Sequence, residues 1–188
     1  MNMQNTESRT QSYVKPGQKT FDLIMVALLI ALVFIATFIN IKLPIRANGG
    51  LVHLGTTMLF IAAFLFGPKK AALAGALGMA LFDLAGGWAL WAPITFVARG
   101  LQGFIVGQIA WAKGHKGNSI VFNVTAAIIS MPFMIAVYYV GEGILYGNWI
   151  APLASIPGDL IQNIIGLVIA VPVCVALKKV PYFKKLTN

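Results

Sequence analysis

The stretch His53–Gly107, HLGTTMLFIAAFLFGPKKAALAGALGMALFDLAGGWALWAPITFVARGLQGFIVG, decides the architecture. It reads as three apolar helices joined by two short turns. Gly67-Pro68-Lys69-Lys70 forms a basic turn. Ala85-Gly86-Gly87, with Trp88, Trp91 and Pro93, forms an aromatic one. The polar residues set inside the apolar runs are Thr56, Thr57, Asp83, Thr95, Arg99 and Gln102. An ionised group in lipid is costly and marks a functional site by default. Asp83 and Arg99 are therefore the pair to explain.

Working outward, the composition agrees with a membrane domain. Of 188 residues, 59% are hydrophobic and 10% charged, against about 25% charged in a soluble domain. A spanning helix needs about 20 apolar residues, so the chain has room for about six. The fold expected is an all-α integral membrane bundle of six transmembrane helices. The boundaries expected are a polar tail over 1–20, a membrane domain over 21–178 and a basic tail over 179–188. No apolar core precedes a cleavage site in the first 20 residues, so no signal peptide is expected. Cys174 is the single cysteine, which rules out an internal disulfide.

The helices are expected over 21–41, 55–66, 70–85, 91–111, 120–140 and 159–177. Pro132 and Pro172 fall inside the last two. Lys42–Leu54, with Arg46 and His53, and Gly141–Gly158 read as long loops, the first either a functional lid or a solvated linker. Ala27 and Ala31 make an AxxxA step and Gly103 and Gly107 a GxxxG step. On spacing alone each marks close helix packing.

The net charge of +9 could indicate nucleic acid, but placement argues otherwise. Arg9, Lys15, Lys19, Lys69, Lys70, Lys113, Lys116, Lys178, Lys179, Lys184 and Lys185 fall on one side of the expected topology; Lys42 and Arg46 fall on the other. That asymmetry predicts both termini in the cytoplasm. It then puts Asp83, Glu142 and Asp159, three of the five acids, on the outer side with Trp88, Trp91, Tyr138, Tyr139, Tyr146 and Trp149. Arg99 is expected roughly 12 Å below the outer surface at 1.5 Å per residue. It can pair with Asp83 across the hairpin, either to tie two helices together or also to hold a ligand. Asp159, Gln162 and Asn163 share a helix face; their amides can serve a heterocycle or neighbouring helices. The aromatic residues suit either an interfacial belt or a stacking pocket. There is no HExxH, P-loop, CxxC or paired acid for proteolysis, so an ATP-driven role would need an ATPase partner.

The run HLG, then GPKKAALAGALGMALFDLAGG, then WAPITFVARGLQGFIVG resembles the substrate-binding S component of energy-coupling factor (ECF) vitamin transporters, over nearly the whole of 21–177. It is nearest the branch of riboflavin-type or unassigned specificity, which includes hydroxymethylpyrimidine and pyridoxine-like uptake. The resemblance implies a six-helix S-component bundle in the bacterial cell membrane, a transmembrane scaffold subunit and two ATP-binding cassette ATPases as partners, and docking to the scaffold through Ala27 and Ala31. It implies an outward pocket that binds a small aromatic vitamin or precursor, best a hydroxymethylpyrimidine or pyridoxine, with riboflavin as the alternative. Stacking is expected from Trp88, Trp91 and Trp149. Polar contacts are expected from Asp83, Arg99, Gln162 and Asn163, with His53 and Glu142 beside them. No cofactor, metal or nucleic acid is expected. Relatives often carry an acid directly after HLG, where this chain has Thr56. Asp83 is then the main acid of the region. Two other classes stay open: a self-sufficient secondary transporter, for which helices 1 and 2 offer almost no polar lining, and a membrane enzyme, for which only His115 stands on the cytoplasmic side.

Overall fold

The computed structural model describes residues 16–43 and 50–187. Residues 1–15 of the expected tail, residues 44–49 with Arg46, and Asn188 lie outside them. Helix α1 (Pro16–Phe38) begins inside the expected tail and stops short of the expected Ile41. The reason is a correction to the all-helical expectation. The loop after α1 holds an antiparallel hairpin of β1 (Asn40–Leu43) and β2 (Gly50–His53), paired Asn40 to His53 and Leu43 to Gly50. The Leu54 amide donates to the Ile39 carbonyl at 3.1 Å and closes the hairpin's base.

Helix α2 (Gly55–Phe66) sits at the centre, with ten of its 12 residues buried. At 1.5 Å per residue it is about 18 Å long, less than the ~30 Å of a bilayer core. It packs against α1, α3 (Pro68–Ala85), α4 (Ala92–Ala110) and α6 (Ile156–Leu177), so its ends meet protein rather than lipid. Helices α3 and α4 form a tight antiparallel pair. A Cβ on Gly103 would come within 2.6 Å of the Ala71 carbonyl oxygen, and one on Gly107 would strike Pro68. The GxxxG step is thus used inside the fold. The Asp22 carboxylate on α1 pairs with Lys70 at the start of α3, 2.6 Å away.

Helix α5 runs from Ile120 to Tyr146, through the first part of the loop expected over Gly141–Gly158. Gly141 and Gly143 do not break it; they let Ile94 and Trp149 pack against the helix. The break comes at Gly147, whose left-handed backbone (φ +60°) ends the helix. A short 3-10 turn (Ala151–Ser155) leads directly into α6. A short helix, α7 (Pro181–Thr187), follows, and Phe183 packs on Phe66 edge to face.

The packing is inverted relative to a water-soluble protein. Thr56, Arg99, Gln102, Asn163 and Gln162 are buried, while Leu23, Ile24, Leu28, Val121, Ile128, Phe133, Ile164 and Val168 are exposed. Such broad apolar exposure belongs in lipid. The segments Lys19–Phe38, Ile120–Tyr146 and Ala151–Leu177 are each long and apolar enough to cross a membrane. This is a helical membrane protein. The ends of α1, α3 and α5 meet the starts of α2, α4 and α6 at one end of the bundle. Lys69, Lys70, Lys113, Lys116 and Lys178 gather at the other.

Candidate functional site

A cavity of about 440 Å³ opens at the end opposite the lysines. The hairpin supplies Leu51 and His53, alternate residues on one face of β2. The end of α3 supplies Phe82 and Asp83, and the α3–α4 turn supplies Trp88 and Trp91. Helix α4 supplies Thr95 and Arg99; α5 supplies Tyr138, Glu142 and Tyr146, each four residues apart and so on one helix face. Asn148, Ser155, Asp159 and Gln162 complete the wall.

Arg99 is 2% exposed and held by partners from four helices. Its Nε donates to the Tyr138 hydroxyl at 3.2 Å, and its Nη1 to Thr56 Oγ1 at 3.3 Å and to Gln102 Oε1 at 2.9 Å. Hydrogen-bond matching sets the Gln162 amide with its oxygen toward Arg99 Nη2 (2.7 Å), Thr56 Oγ1 (2.6 Å) and His53 Nε2 (3.2 Å), and its nitrogen toward the Leu51 carbonyl (2.7 Å). The guanidinium is also 5.3 Å from the centre of the Tyr138 ring. The network continues inward. Gln102 Nε2 donates to Asn163 Oδ1 at 2.6 Å, and Asn163 Nδ2 to the Asp159 carbonyl at 2.7 Å. Buried polar groups are retained when their hydrogen bonds are met, and these are met one by one.

The expected Asp83–Arg99 ion pair does not form. Arg99 is satisfied by neutral partners instead, and Asp83 Oδ2, though buried, has no hydrogen-bond partner among the described residues. His53 lies on the hairpin, outside the helices. Burial, and then the nearby Arg99 charge, push its imidazole down to about 3, so it stays neutral with its Nε2 proton on Gln162. Glu142 Oε2 accepts from the Ser155 hydroxyl at 2.7 Å.

Of the residues singled out from sequence, His53, Asp83, Trp88, Trp91, Arg99, Glu142 and Gln162 line the cavity. Two do not. Trp149 is 52% exposed, and its ring packs on Tyr139, 6.0 Å between centres, because the chain after Gly147 folds back and lays the ring over Gly143 of α5. Asn163 is fully buried one residue past Gln162 and braces Gln102 rather than facing the cavity. The sequence did not mark out Leu51, Phe82, Asn148 or Ser155, and it offered Tyr146 only as one of the outer-side aromatic residues. The four-residue spacing of Tyr138, Glu142 and Tyr146 was the available signal, hidden by ending the helix at Val140.

Comparison with known proteins agrees with this architecture. Residues 17–179 match the family described as ECF-type riboflavin transporter, S component. An uncharacterised protein of Pyrococcus woesei is 32% identical over 143 residues, covering 76% of this chain and 93% of its own length. The thiamine precursor transporter HmpT of Lactococcus lactis subsp. cremoris is 26% identical over 130 residues, covering 68% of this chain and 70% of its own. A solved structure, described as the S component of a bacterial ECF transporter, superposes with a TM-score of 0.66 over 86% of this chain and 98% of the other, at 22% identity. With a family match over most of its length and an inverted bundle around a polar cavity, the chain belongs to the ECF-type riboflavin transporter S-component family.

Proposed function

We propose that this S component is the substrate-capture subunit of an ATP-driven importer in the bacterial cytoplasmic membrane. It binds a small aromatic vitamin or precursor, best a hydroxymethylpyrimidine or pyridoxine, in a pocket open to the exterior. Six helices, α1 to α6, make the membrane unit, with both termini in the cytoplasm. The observation that carries this reading is the position of the cavity. It lies at the end of the bundle away from the lysines, and lysine-rich ends stay cytoplasmic.

The walls suit such a ligand. Trp88, Trp91 and Tyr146 offer ring faces, with Trp91 and Tyr146 in edge contact at 5.9 Å. Asp83, Glu142 and Gln162 offer polar contacts, with His53 and Arg99 fixing the floor. The described cavity volume lies within the usual range for a small-molecule site. The similarity to a thiamine precursor transporter supports a pyrimidine. The family's description keeps riboflavin as the second reading. Asn163 acts one layer behind the cavity wall by bracing Gln102, and Trp149 packs on Tyr139 outside the lining.

Delivery inward needs partners. One scaffold subunit and two ATPases are proposed, docked on α1 through Ala27 and Ala31. Both alanines are exposed on the apolar outer side of that helix, as a docking step requires. Native mass spectrometry of the purified protein tests the capture reading. A retained mass equal to a pyrimidine, pyridine or isoalloxazine vitamer is expected. Vectorial transport by the protein alone in liposomes would instead assign it to self-sufficient carriers, and turnover by it alone to enzymes.

A further inference from the structure

Gln162 lines the cavity, yet it is only 2% exposed, and nearly all of its surface meets protein. Its amide joins α6 to three other elements. The oxygen accepts from Arg99 Nη2 on α4 at 2.7 Å, from Thr56 Oγ1 on α2 at 2.6 Å and from His53 Nε2 on β2 at 3.2 Å. The nitrogen donates to the Leu51 carbonyl on β2 at 2.7 Å. Two of these four partners, Leu51 and His53, are the residues through which the hairpin lines the cavity.

The register of the hairpin explains why β2 takes this bond. The Leu54 amide donates to the Ile39 carbonyl, and opposite residues of an antiparallel pair alternate between bonded and unbonded. Val52 therefore bonds across to Ile41, while Leu51 opposite Lys42 and His53 opposite Asn40 hold the unbonded positions. Their backbone groups point away from the ladder, so the Leu51 carbonyl needs a donor from outside it. Gln162 supplies that donor. Each strand has only four residues, and a lone two-stranded hairpin is marginal in water. The hairpin's position therefore depends on what it is fastened to.

We propose that Gln162 is a positioning residue for ligand capture: its amide fastens β2 to α6 and so fixes Leu51 and His53 as one wall of the cavity. This rests on the capture reading and adds to the polar contact that Gln162 offers there. The two ends of the amide have separate tasks. The oxygen serves Arg99, Thr56 and His53, whereas the nitrogen serves the Leu51 carbonyl. Gln162→Glu keeps an acceptor for Arg99 but has no N–H for Leu51, and it sets a carboxylate oxygen against that carbonyl. Gln162→Met removes both ends at similar length.

The test is hydrogen–deuterium exchange, read by mass spectrometry, on the full chain in detergent as the native protein, Gln162→Glu and Gln162→Met. Peptides over residues 51–54 report β2, and peptides over α3 and α4 report the bundle. In both variants the β2 amides are expected to exchange roughly 5- to 10-fold faster, the worth of one hydrogen bond. In Gln162→Glu the α3 and α4 amides are expected to keep their native rates. Unchanged β2 exchange in both variants overturns the proposal. So does acceleration of α3 and α4 in step with β2 in Gln162→Glu, which would make Gln162 a general core residue. A second arm reads capture by stopped-flow tryptophan fluorescence with hydroxymethylpyrimidine, pyridoxine and riboflavin as probes. Gln162→Glu is expected to release whichever probe the native protein binds roughly 5- to 10-fold faster, with association little changed. A native release rate despite faster β2 exchange overturns the positioning role. Binding of none of the three by the native protein removes the capture reading, and with it the ligand role of Gln162, while the exchange result still decides the fastening of β2.

Discussion

At the scale of single residues, Arg99 decides whether the cavity keeps its shape. Its planar fork reaches Tyr138, Thr56, Gln102 and Gln162 at once. A lysine ammonium offers its donors from one point and cannot span them. Arg99→Lys is expected to lower stability by about 2–3 kcal/mol, the scale of lost hydrogen bonds to a charged group. A chemical denaturation curve in detergent checks this, and ligand affinity should fall with it. His53 gives a pH signature. Its folded imidazole titrates at about 3, while the unfolded one titrates near 6.5. Between those values the unfolded chain takes up a proton that the folded chain refuses. Stability is therefore full above pH ~6.5 and falls as pH drops toward 3. The melting temperature should decline on acidification from pH 7 to 5, and less steeply in His53→Gln. The polar residues were legible in the sequence because they are rare in apolar runs. Their pairing was not. Asp83 and Arg99 look like partners by charge, yet neutral groups distant in the chain, such as Gln162 on α6 and Tyr138 on α5, reach Arg99 instead.

At the scale of elements, the α3–α4 pair carries the site. Gly103 lies one turn beyond Arg99, and its missing side chain lets the Ala71 backbone approach. Gly103→Ala would place a methyl 2.6 Å from that carbonyl oxygen and push the helices apart, at a cost of about 1–3 kcal/mol for overpacking. Gly100→Ala would meet Ala76 at 3.2 Å, side chain to side chain, and should cost less. Comparing the two variants' denaturation midpoints checks the claim; equal midpoints would count against it. The helices from α2 to α4 were readable to within a few residues, because Gly67-Pro68 and the Trp88–Pro93 turn interrupt long apolar runs. The hairpin and the end of α5 were not. The strands of the hairpin are only four residues each, too short for a period-2 pattern to stand out beside the breakers Pro44, Asn48, Gly49 and Gly50. Gly141 and Gly143 looked like a loop because glycine disfavours helices. Packing against Ile94 and Trp149 overrides that preference.

At the scale of the whole molecule, the proposed function assigns two surfaces to two partners: the cavity end to the ligand and the outer side of α1 to the scaffold. Ala27→Trp should abolish uptake in cells that also express the scaffold and ATPases, while ligand binding by the purified variant stays intact, because Ala27 is exposed and far along the chain from every cavity residue. Normal uptake by that variant would remove α1 as the docking face. By itself the sequence determined that this is a membrane protein, how its lysines cluster between the apolar runs, and where α2 to α4 begin and turn. Those properties follow from composition and local periodicity, which act over a few residues. Only the tertiary structure decided which polar groups meet, that Trp149 and Asn163 stand outside the cavity, and that Asp83 Oδ2 is buried with no hydrogen-bond partner among the described residues. Those outcomes depend on the rotation and depth of helices packed from remote parts of the chain, and a shift of one residue turns a side chain by about 100° from one neighbour to another.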